Sequence, residues 1–418
     1  MATAARAPNL FLMTDNGGTV SPSQSRIACV DLLRGSVVAI MAIDHTRRFF
    51  TNVPFAPETL SLTSGPLFFT RFVTHFCAPV FFLLAGTSAF LSVSAGKSVA
   101  QVSRFLWTRG LWLLLLDFLV IGYAWTFTFP FHHAGVIVAL ACSMIALSLL
   151  VRLSVKWIGV VGTSIIVFHS FLGRAVSTVL GSLSWLMFIL FRPGEFWIRP
   201  GRSTFLVTFP VVPWFGVMAV GYAFGALLLR KDRRNTIFIF GAVLTAAFFV
   251  LRGFHLPGNG ISKLSVFPDS AGPWKTGPTL TLSIISFFNT LKFPPSPQFL
   301  LMTLGPSLMA LAWFDRIAPD KGLARILLVF GRVPLLFYVL HLYLIHAAAV
   351  WTALALHQPT AWLLYGGFML RPLPSGYGHG LPFIYAAWII FLVLLYFPCN
   401  WFMNFKQQHR NWWWLRYI

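Results

Sequence analysis

The sequence predicts an all-α integral membrane protein, a multi-pass helical bundle of about ten transmembrane helices with an eleventh left open. Three observations predict this class. Apolar runs long enough to cross a bilayer recur along the 418 residues. Only 10% of the residues are charged, against ~25% in soluble domains. The basic residues fall mainly in every second short connection, which is typical of cytoplasmic loops.

Each span is predicted where an apolar helix can cover a hydrocarbon core of ~30 Å. The spans lie at 27–49, 67–94, 105–127, 133–151, 155–172, 206–229, 235–252, 298–315, 326–352 and 381–404. The run at 176–191 is borderline, and a short interfacial or re-entrant helix is expected there. Another interfacial helix is expected at 279–291. The long stretches 173–205 and 253–297 are expected on the outer side, where they can cover a site.

The basic connections choose the orientation of the bundle. They lie at 97–109, 152–156, 230–234, 316–325 and 406–410. By the positive-inside rule they face the cytoplasm, which places both termini there. The net charge of +21 is thus a topology signal. No basic and aromatic motif accompanies it, so the lipid bilayer is the expected partner and nucleic acid is not.

The chain divides into three parts. Residues 1–25 are polar and lack the features of a signal peptide, so a flexible tail is expected. Residues 26–405 form the transmembrane domain, and 406–418 form a basic and aromatic interfacial tail. The four cysteines lie in or beside apolar runs without the spacing of metal ligands, so no metal is expected.

The first span carries ionisable residues that a membrane helix rarely holds. Asp31, Arg34, Asp44 and His45 lie within it, and each charge at a bilayer centre costs ~2.5–3.5 kcal/mol. Steps of three and four place Asp31, Arg34 and His45 on one helix face. Arg34 either binds an anionic ligand, pairs with Asp31, or does both. His45 is either a general base or nucleophile or a solvated histidine at a helix end.

Other candidates lie in later spans. Asp117 is a lone acid inside the third span, so it either forms a structural pair with Arg34, Arg71 or His75, or is a member of a site. Arg71 and His75 share a helix face and form either a site wall or a clamp between helices. The remaining candidates are histidines: His133 at the outer turn, and His341 and His346, of which at most one faces the same cavity.

Several stretches resemble bacterial relatives of heparan-alpha-glucosaminide N-acetyltransferase, the DUF1624 group. The matching stretches are RIACVDLLRG at 26–35, MAIDH at 41–45, FTRFVTHFCAPVFFLLAGTS at 69–88, RGLW at 109–112, PWFGVM at 213–218, KFPPS at 292–296, LMTLGP at 301–306 and GRVPLLFYVLHLYLIH at 331–346. Arg34 and His45, with ten residues between them, also resemble the Arg-x10-His signature of the wider membrane acyltransferase superfamily.

The resemblance implies transfer of an acyl group, most simply acetyl, from cytoplasmic acyl-CoA to a sugar amine or hydroxyl outside. By it, Arg34 helps bind the donor and His45 is the catalytic histidine, with His75 as the rival. A cytoplasmic mouth of Arg34, Arg104 and Arg109 suits the phosphates of coenzyme A, with Asp31 holding Arg34. Asp44 is grouped with His45 at the catalytic end, although on an ideal helix it points about 100° away.

The family also implies the partners and the location. Acetyl-CoA is expected as co-substrate, a glycan or glycolipid as acceptor, and the bacterial cytoplasmic membrane as location. A homodimer is left open. The competing hypothesis is a transporter or flippase whose intramembrane charges line a substrate pathway. A binding or regulatory role is the third hypothesis.

Overall fold

The computed structural model shows a helical bundle with one small sheet. The described residues are 27–129, 132–178, 183, 185–199, 203–260, 270–364 and 372–418. Within them, eight helices are long and apolar enough to span a membrane. The predicted all-α, multi-pass class is therefore confirmed. The predicted tail at 1–25 lies outside the described residues.

The first half of the chain builds eight helices within these ranges. They are α1 Ala28–Phe50, α2 Gly65–Phe72, α3 Cys77–Ser94, α4 Val99–Leu116, α5 Gly122–Thr126, α6 Val136–Leu150, α7 Val155–Ser177 and α8 Leu186–Leu190. A 3₁₀ turn at Val73–Phe76 joins α2 to α3. A π-helical segment at Asp117–Ile121 joins α4 to α5. Each pair thus runs on as one long helix.

The second half adds seven helices within the same ranges. They are α9 Val211–Phe224, α10 Arg233–Gly253, α11 Leu280–Phe288, α12 Pro297–Phe314, α13 Gly322–Arg332, α14 Pro334–Ala355 and α15 Leu381–Gln408. The 3₁₀ segment Gly225–Leu229 extends α9. The predicted tail 406–418 begins inside α15 and ends with a 3₁₀ turn at Trp413–Arg416.

One predicted span is wrong as a single helix. The run 326–352 is divided into α13 and α14 at Val333, whose φ is −131°. Pro334 follows directly, and proline disfavours the helical conformation of the residue before it and cannot donate a backbone hydrogen bond. The carbonyl groups in the last turn of α13 therefore have no helical partner and stay available to side chains.

The first helix lies at the centre of the bundle, where α1 contacts α3, α12, α13, α14 and α15. Its closest approach is to α13. A Cβ atom added to Gly331 would lie 1.8 Å from the Asp31 carbonyl oxygen, and one added to Gly35 would lie 1.8 Å from that of Leu327. Only glycine lets two helix backbones meet this closely. The crossing brings Arg34 to the end of α13.

A small sheet not predicted from the sequence stands at the other end of α1. Its strands are β1 His133–Ala134, β2 Gly194–Arg199 and β3 Ser203–Val207, in the order β1-β3-β2. His133 pairs with Leu206 in the parallel β1–β3 ladder, while β2 and β3 are antiparallel. The predicted span 133–151 therefore begins as a strand. Parts of the borderline stretch 176–191 lie outside the described residues, and α8 there has five residues.

Candidate active site

One cavity of about 1180 Å³ runs beside α1 from Arg34 to His45. Seven of the eleven candidate residues from the sequence line it: Arg34, Asp44, His45, Arg71, Arg109, Asp117 and His133. Asp31, His75 and His341 are buried and adjoin lining residues. Most of the polar residues that the sequence singled out thus gather at one continuous space.

Arg34 is held by contacts from three helices at one end of the cavity. Its Nη1 donates to Oδ1 of Asp31 at 3.0 Å, and its Nη2 donates to the Ser88 hydroxyl at 3.1 Å. Nη1 also lies 3.4 Å from the Gly331 carbonyl oxygen at the end of α13. The predicted Asp31–Arg34 ion pair is confirmed, and it fixes the guanidinium group at the cavity wall.

The Arg34 end of the cavity is strongly cationic. Its basic lining side chains are Arg34, Arg109, Arg332, Lys406 and Arg416. Nη1 of Arg109 donates to the Arg416 carbonyl oxygen at 2.7 Å, which ties α4 to the C-terminal turn. Arg332, Lys406 and Arg416 were missed from the sequence. Arg332 left a signal, because a cation inside the predicted span 326–352 is unusual.

Arg104 does not belong to this cationic end. Its side chain is exposed, and it is absent from the cavity wall. Arg104 precedes Arg109 by five residues, a rotation of about 140° that points the two side chains to different sides of α4. The predicted grouping of Arg104 with Arg34 and Arg109 is therefore wrong.

A pair of histidines forms the opposite end of the cavity. Nδ1 of His45 lies 2.6 Å from Nε2 of His341, and the two rings stack with centroids 4.9 Å apart. Nδ1 of His341 lies 2.9 Å from the Phe337 carbonyl oxygen. A carbonyl only accepts, so Nδ1 of His341 carries the proton and its Nε2 accepts one from His45. Nε2 of neutral His45 is then the nitrogen with a free lone pair.

The surroundings of the pair fix the ring of His45. Trp125 meets it edge-on with centroids 4.9 Å apart, and Tyr338 lies 6.1 Å away. His341 is fully buried. His346 turns elsewhere, to the carbonyl oxygens of Ala124 and Leu363. As expected, only one histidine of α14 reaches this site.

Asp44 does not orient the His45 ring. One carboxylate oxygen accepts from Arg47 at 3.0 Å, and the other accepts from Arg71. Nε of Arg71 in turn donates to Oε1 of Glu58 at 2.8 Å. Asp44 therefore belongs to a charge network beside the histidines. Helix geometry predicts that Asp44 points away from the His45 ring, and the contact that orients this ring is made by His341 instead. Glu58, in the loop after α1, was missed because no periodic pattern marks a loop.

This network perturbs the groups that lie outside the spans. Burial alone would raise the pKa of Glu58, but the Arg71 guanidinium holds that pKa well below its usual range. Burial, aided by repulsion from Arg71, lowers the pKa of Lys292 to about 8. Lys292 lines the same end of the cavity, and this end also carries more basic than acidic side chains.

His75 and His133 take supporting places at the His45 end. Nε2 of His75 lies 3.6 Å from Oε1 of Glu58, beyond direct hydrogen-bond distance. Its ring packs edge-on against Phe299, so it backs Arg71 without lining the cavity. Nε2 of His133 lies 3.0 Å from the Thr208 hydroxyl. Burial, with a smaller effect of Arg48, lowers the pKa of His133 to about 4, which keeps it neutral.

Comparison with known families decides what this architecture is. The family described as heparan-alpha-glucosaminide N-acetyltransferase, catalytic, matches residues 26–256, more than half of the chain. The chain belongs to this family. A search of curated proteins gives no match. The resemblance inferred from the sequence is confirmed at the level of the family, and membership indicates a membrane-bound acetyltransferase.

The family match covers only part of the cavity wall. It includes Arg34, His45 and Asp117 but ends before His341 and Arg332. The histidine pair is therefore a structural finding that the matched segment alone does not contain. Among the described residues, no group of three or more His, Cys, Asp and Glu side chains is arranged to hold a metal ion.

Asp117 lies within the segment that matches the family, and its surroundings differ from those expected for a buried acid. It begins the π-helical segment, is 3% exposed and lines the cavity. No hydrogen bond or ion pair joins its carboxyl group to any described residue, and its Oδ2 is fully buried. Of the two alternatives for Asp117, the structural pair with Arg34, Arg71 or His75 is therefore wrong. The extra residue of the π segment changes the facing of the helix, which sequence spacing does not reveal.

Proposed function

We propose that the protein transfers an acyl group, most simply acetyl, from cytoplasmic acyl-CoA to a sugar amine or hydroxyl outside a bacterial cytoplasmic membrane. The observation that carries the proposal is the single cavity with a cationic end at Arg34 and a histidine pair at His45. Such a space lets a donor enter from one side and an acceptor from the other. The chain that forms this cavity belongs to a family of acetyltransferases.

The Arg34 end supplies what the donor needs. Guanidinium groups bind phosphate oxygens in paired hydrogen bonds, and coenzyme A carries its phosphates at the end remote from the thioester. Arg34 and Arg109 line the wall together. On α1, Arg34 and His45 are eleven positions apart, which is ~16 Å along a helix. The donor phosphates would rest at Arg34 while the thioester reaches towards His45.

The His45 end supplies the base. Nε2 of His45 removes the proton from the acceptor amine or hydroxyl as that group attacks the thioester carbonyl carbon. The bond from the acyl carbon to the acceptor nitrogen or oxygen forms and the carbon–sulfur bond breaks. The thiolate that leaves then accepts from His45 the proton that His45 removed from the acceptor. While His45 is charged, its Nδ1–H donates to His341, which spreads and stabilises the charge. Free coenzyme A and the acylated acceptor are released.

A covalent route uses the same atoms. Nε2 of His45 attacks the thioester carbon, the carbon–sulfur bond breaks, and an acyl-imidazolium and a thiolate form. The acceptor amine or hydroxyl then attacks the acyl carbon, the bond from that carbon to Nε2 breaks, and the proton that the acceptor loses passes to water, from which the thiolate takes one. This route predicts ping-pong kinetics, whereas direct transfer requires a ternary complex. Initial-rate measurements at varied donor and acceptor concentrations distinguish the two.

The proposal is tested by following a labelled acetyl group. Inside-out membrane vesicles containing the protein receive labelled acetyl-CoA, and extracted glycans and glycolipids are assayed for label. His45→Asn is expected to lower transfer by about 10²- to 10⁴-fold, the usual worth of a general base. His357→Asn changes an exposed histidine outside the cavity and serves as control. Transfer unaffected by His45→Asn overturns the assignment, and solute uptake without acetyl-CoA favours the transporter.

A further inference from the structure

Asp117 is a buried carboxyl group without a partner in a protein that pairs its other buried acids. Asp31 is bound by Arg34, and Glu58 is bound by Arg71. Asp117 is 3% exposed and faces the cavity, yet no described side chain or backbone group donates to it. An unpaired carboxyl costs folding free energy. Its retention at a cavity wall therefore points to a partner that arrives from outside the chain.

The position of Asp117 along the cavity defines what that partner can be. Arg109, Leu113, Asp117 and Trp125 all line the wall from the same long helix. Asp117 lies eight residues after Arg109 and eight before Trp125, about 12 Å from each along the helix axis. Arg109 belongs to the cationic end, and Trp125 packs on His45. Asp117 is thus midway between the two ends.

We infer that Asp117 binds an amide N–H of the pantetheine arm of the donor. The inference rests on the proposed function, because phosphates at Arg109 and a thioester at His45 place the middle of that arm at Asp117. The arm is uncharged, and between phosphate and sulfur it offers three hydrogen-bond donors, one hydroxyl and two amide N–H groups. The hydroxyl lies close to the phosphate, so the amides are the donors in the middle of the arm. A carboxyl oxygen accepts such an N–H in either protonation state. Leu113, one turn away, offers only apolar contact.

The π-helical segment explains how the side chain is aimed. A π turn inserts one extra residue per turn and is frequent at functional sites. It starts at Asp117 and ends at Ile121. The side chains after the segment are therefore rotated about the helix axis relative to the positions that an uninterrupted α-helix would give them. Asp117 can thereby share the wall with Arg109 and with Trp125 on the far side of the segment.

The experiment compares donors with and without the amide hydrogen. Binding of acetyl-CoA is measured by calorimetry on the purified full chain, alongside two analogues in which one amide N–H at a time is replaced by an ester oxygen. For Asp117→Leu, the Kd of acetyl-CoA is expected to rise about 10- to 100-fold, because hydrogen bonds to buried charged groups are worth this much. Asp117→Asn keeps an accepting oxygen and should lose less. Asp320→Leu, which changes an exposed acid, is the matched control.

The amide assignment requires non-additive losses. One ester analogue should bind wild-type protein as weakly as acetyl-CoA binds Asp117→Leu. The affinity of Asp117→Leu for that analogue should be no lower than the affinity of wild-type protein for it. The melting temperature of Asp117→Leu should stay level or rise, because an unpaired buried carboxyl is removed. A structural role would lower it.

Each remaining outcome counts against a different statement. Wild-type protein that binds acetyl-CoA, with Asp117→Leu within about twofold of it, overturns the role of Asp117. The role of Asp117 is also overturned if Asp117→Leu loses affinity equally for acetyl-CoA and for both ester analogues. Wild-type protein that neither binds nor uses acetyl-CoA overturns the proposed function itself, and the role of Asp117 with it.

Discussion

Replacing His341 with phenylalanine removes the contact that orients His45. The variant keeps an aromatic ring of similar shape in a fully buried position. It loses both hydrogen bonds, the one to Nδ1 of His45 at 2.6 Å and the one to the Phe337 carbonyl oxygen at 2.9 Å. The ring of His45 then has no partner to select its tautomer, and Nε2 is no longer reserved for the substrate.

The size of the effect follows from the charge that His45 carries during transfer. A hydrogen bond to a charged group contributes about 1.5–3 kcal/mol. At ~1.4 kcal/mol per tenfold change, this corresponds to a loss of about 10- to 100-fold in kcat/KM. The loss should fall mainly on kcat, because the imidazolium forms only as the reaction proceeds.

His346→Phe is the matched control for this measurement. His346 lies on the same helix and is equally buried, and its two ring nitrogens lie 2.8 and 3.1 Å from backbone carbonyl oxygens of Ala124 and Leu363, away from His45. Initial rates of acetyl transfer are measured for both variants after their melting temperatures have been compared. A loss of the same size in both variants, or no loss in His341→Phe, would refute the orienting role of His341.

Two other perturbations test the two ends of the cavity. Arg34→Ala leaves the buried Asp31 carboxylate without its closest partner, so the free energy of unfolding in detergent should fall by about 3–5 kcal/mol. Arg34→Lys should lower the free energy of unfolding less than Arg34→Ala does. It should still raise the KM for acetyl-CoA about tenfold, because an ammonium group cannot donate the two parallel hydrogen bonds with which a guanidinium group binds phosphate. For Glu58, whose pKa in the folded protein is well below the usual 4.5, the unfolded chain binds the proton more readily. Its stabilisation is therefore full above pH 4.5 and is lost as the pH falls towards the folded value. A melting series from about pH 6 to pH 3 should show this, and Glu58→Gln should flatten it.

Relations within one helix could be predicted from the sequence. Asp31 and Arg34 are three residues apart, so their pairing required only the helical period. The same period separated Arg34 from His45 by about three turns and placed both on one face. The charges of the first span also indicate a candidate functional segment, since a bilayer penalises each of them.

Relations between distant segments could not be predicted in this way. The contact of His45 with His341 joins residues that are 296 positions apart, and one sequence carries no signal for such a pairing. The isolation of Asp117 depends on a π segment whose extra residue no hydrophobic pattern records. The short strand at His133 needed β3 as its partner, and neither is long enough to show a clear alternation. By contrast, the sequence itself marks the break between α13 and α14, because Pro334 lies inside the apolar run 326–352 that is predicted as one span.

The charge at the two ends of the cavity has a consequence for the membrane as an insulator. A space that approaches both faces of a bilayer risks conducting protons, which would dissipate the energy stored across it. Basic side chains outnumber acidic ones along the cavity wall at both ends, with Arg34 and Arg109 at one and Arg47 and Lys292 at the other. Positive charge opposes the entry of protons and metal cations, as it does in water-selective pores. A cavity with basic side chains at both ends would therefore resist proton leakage even where it is continuous.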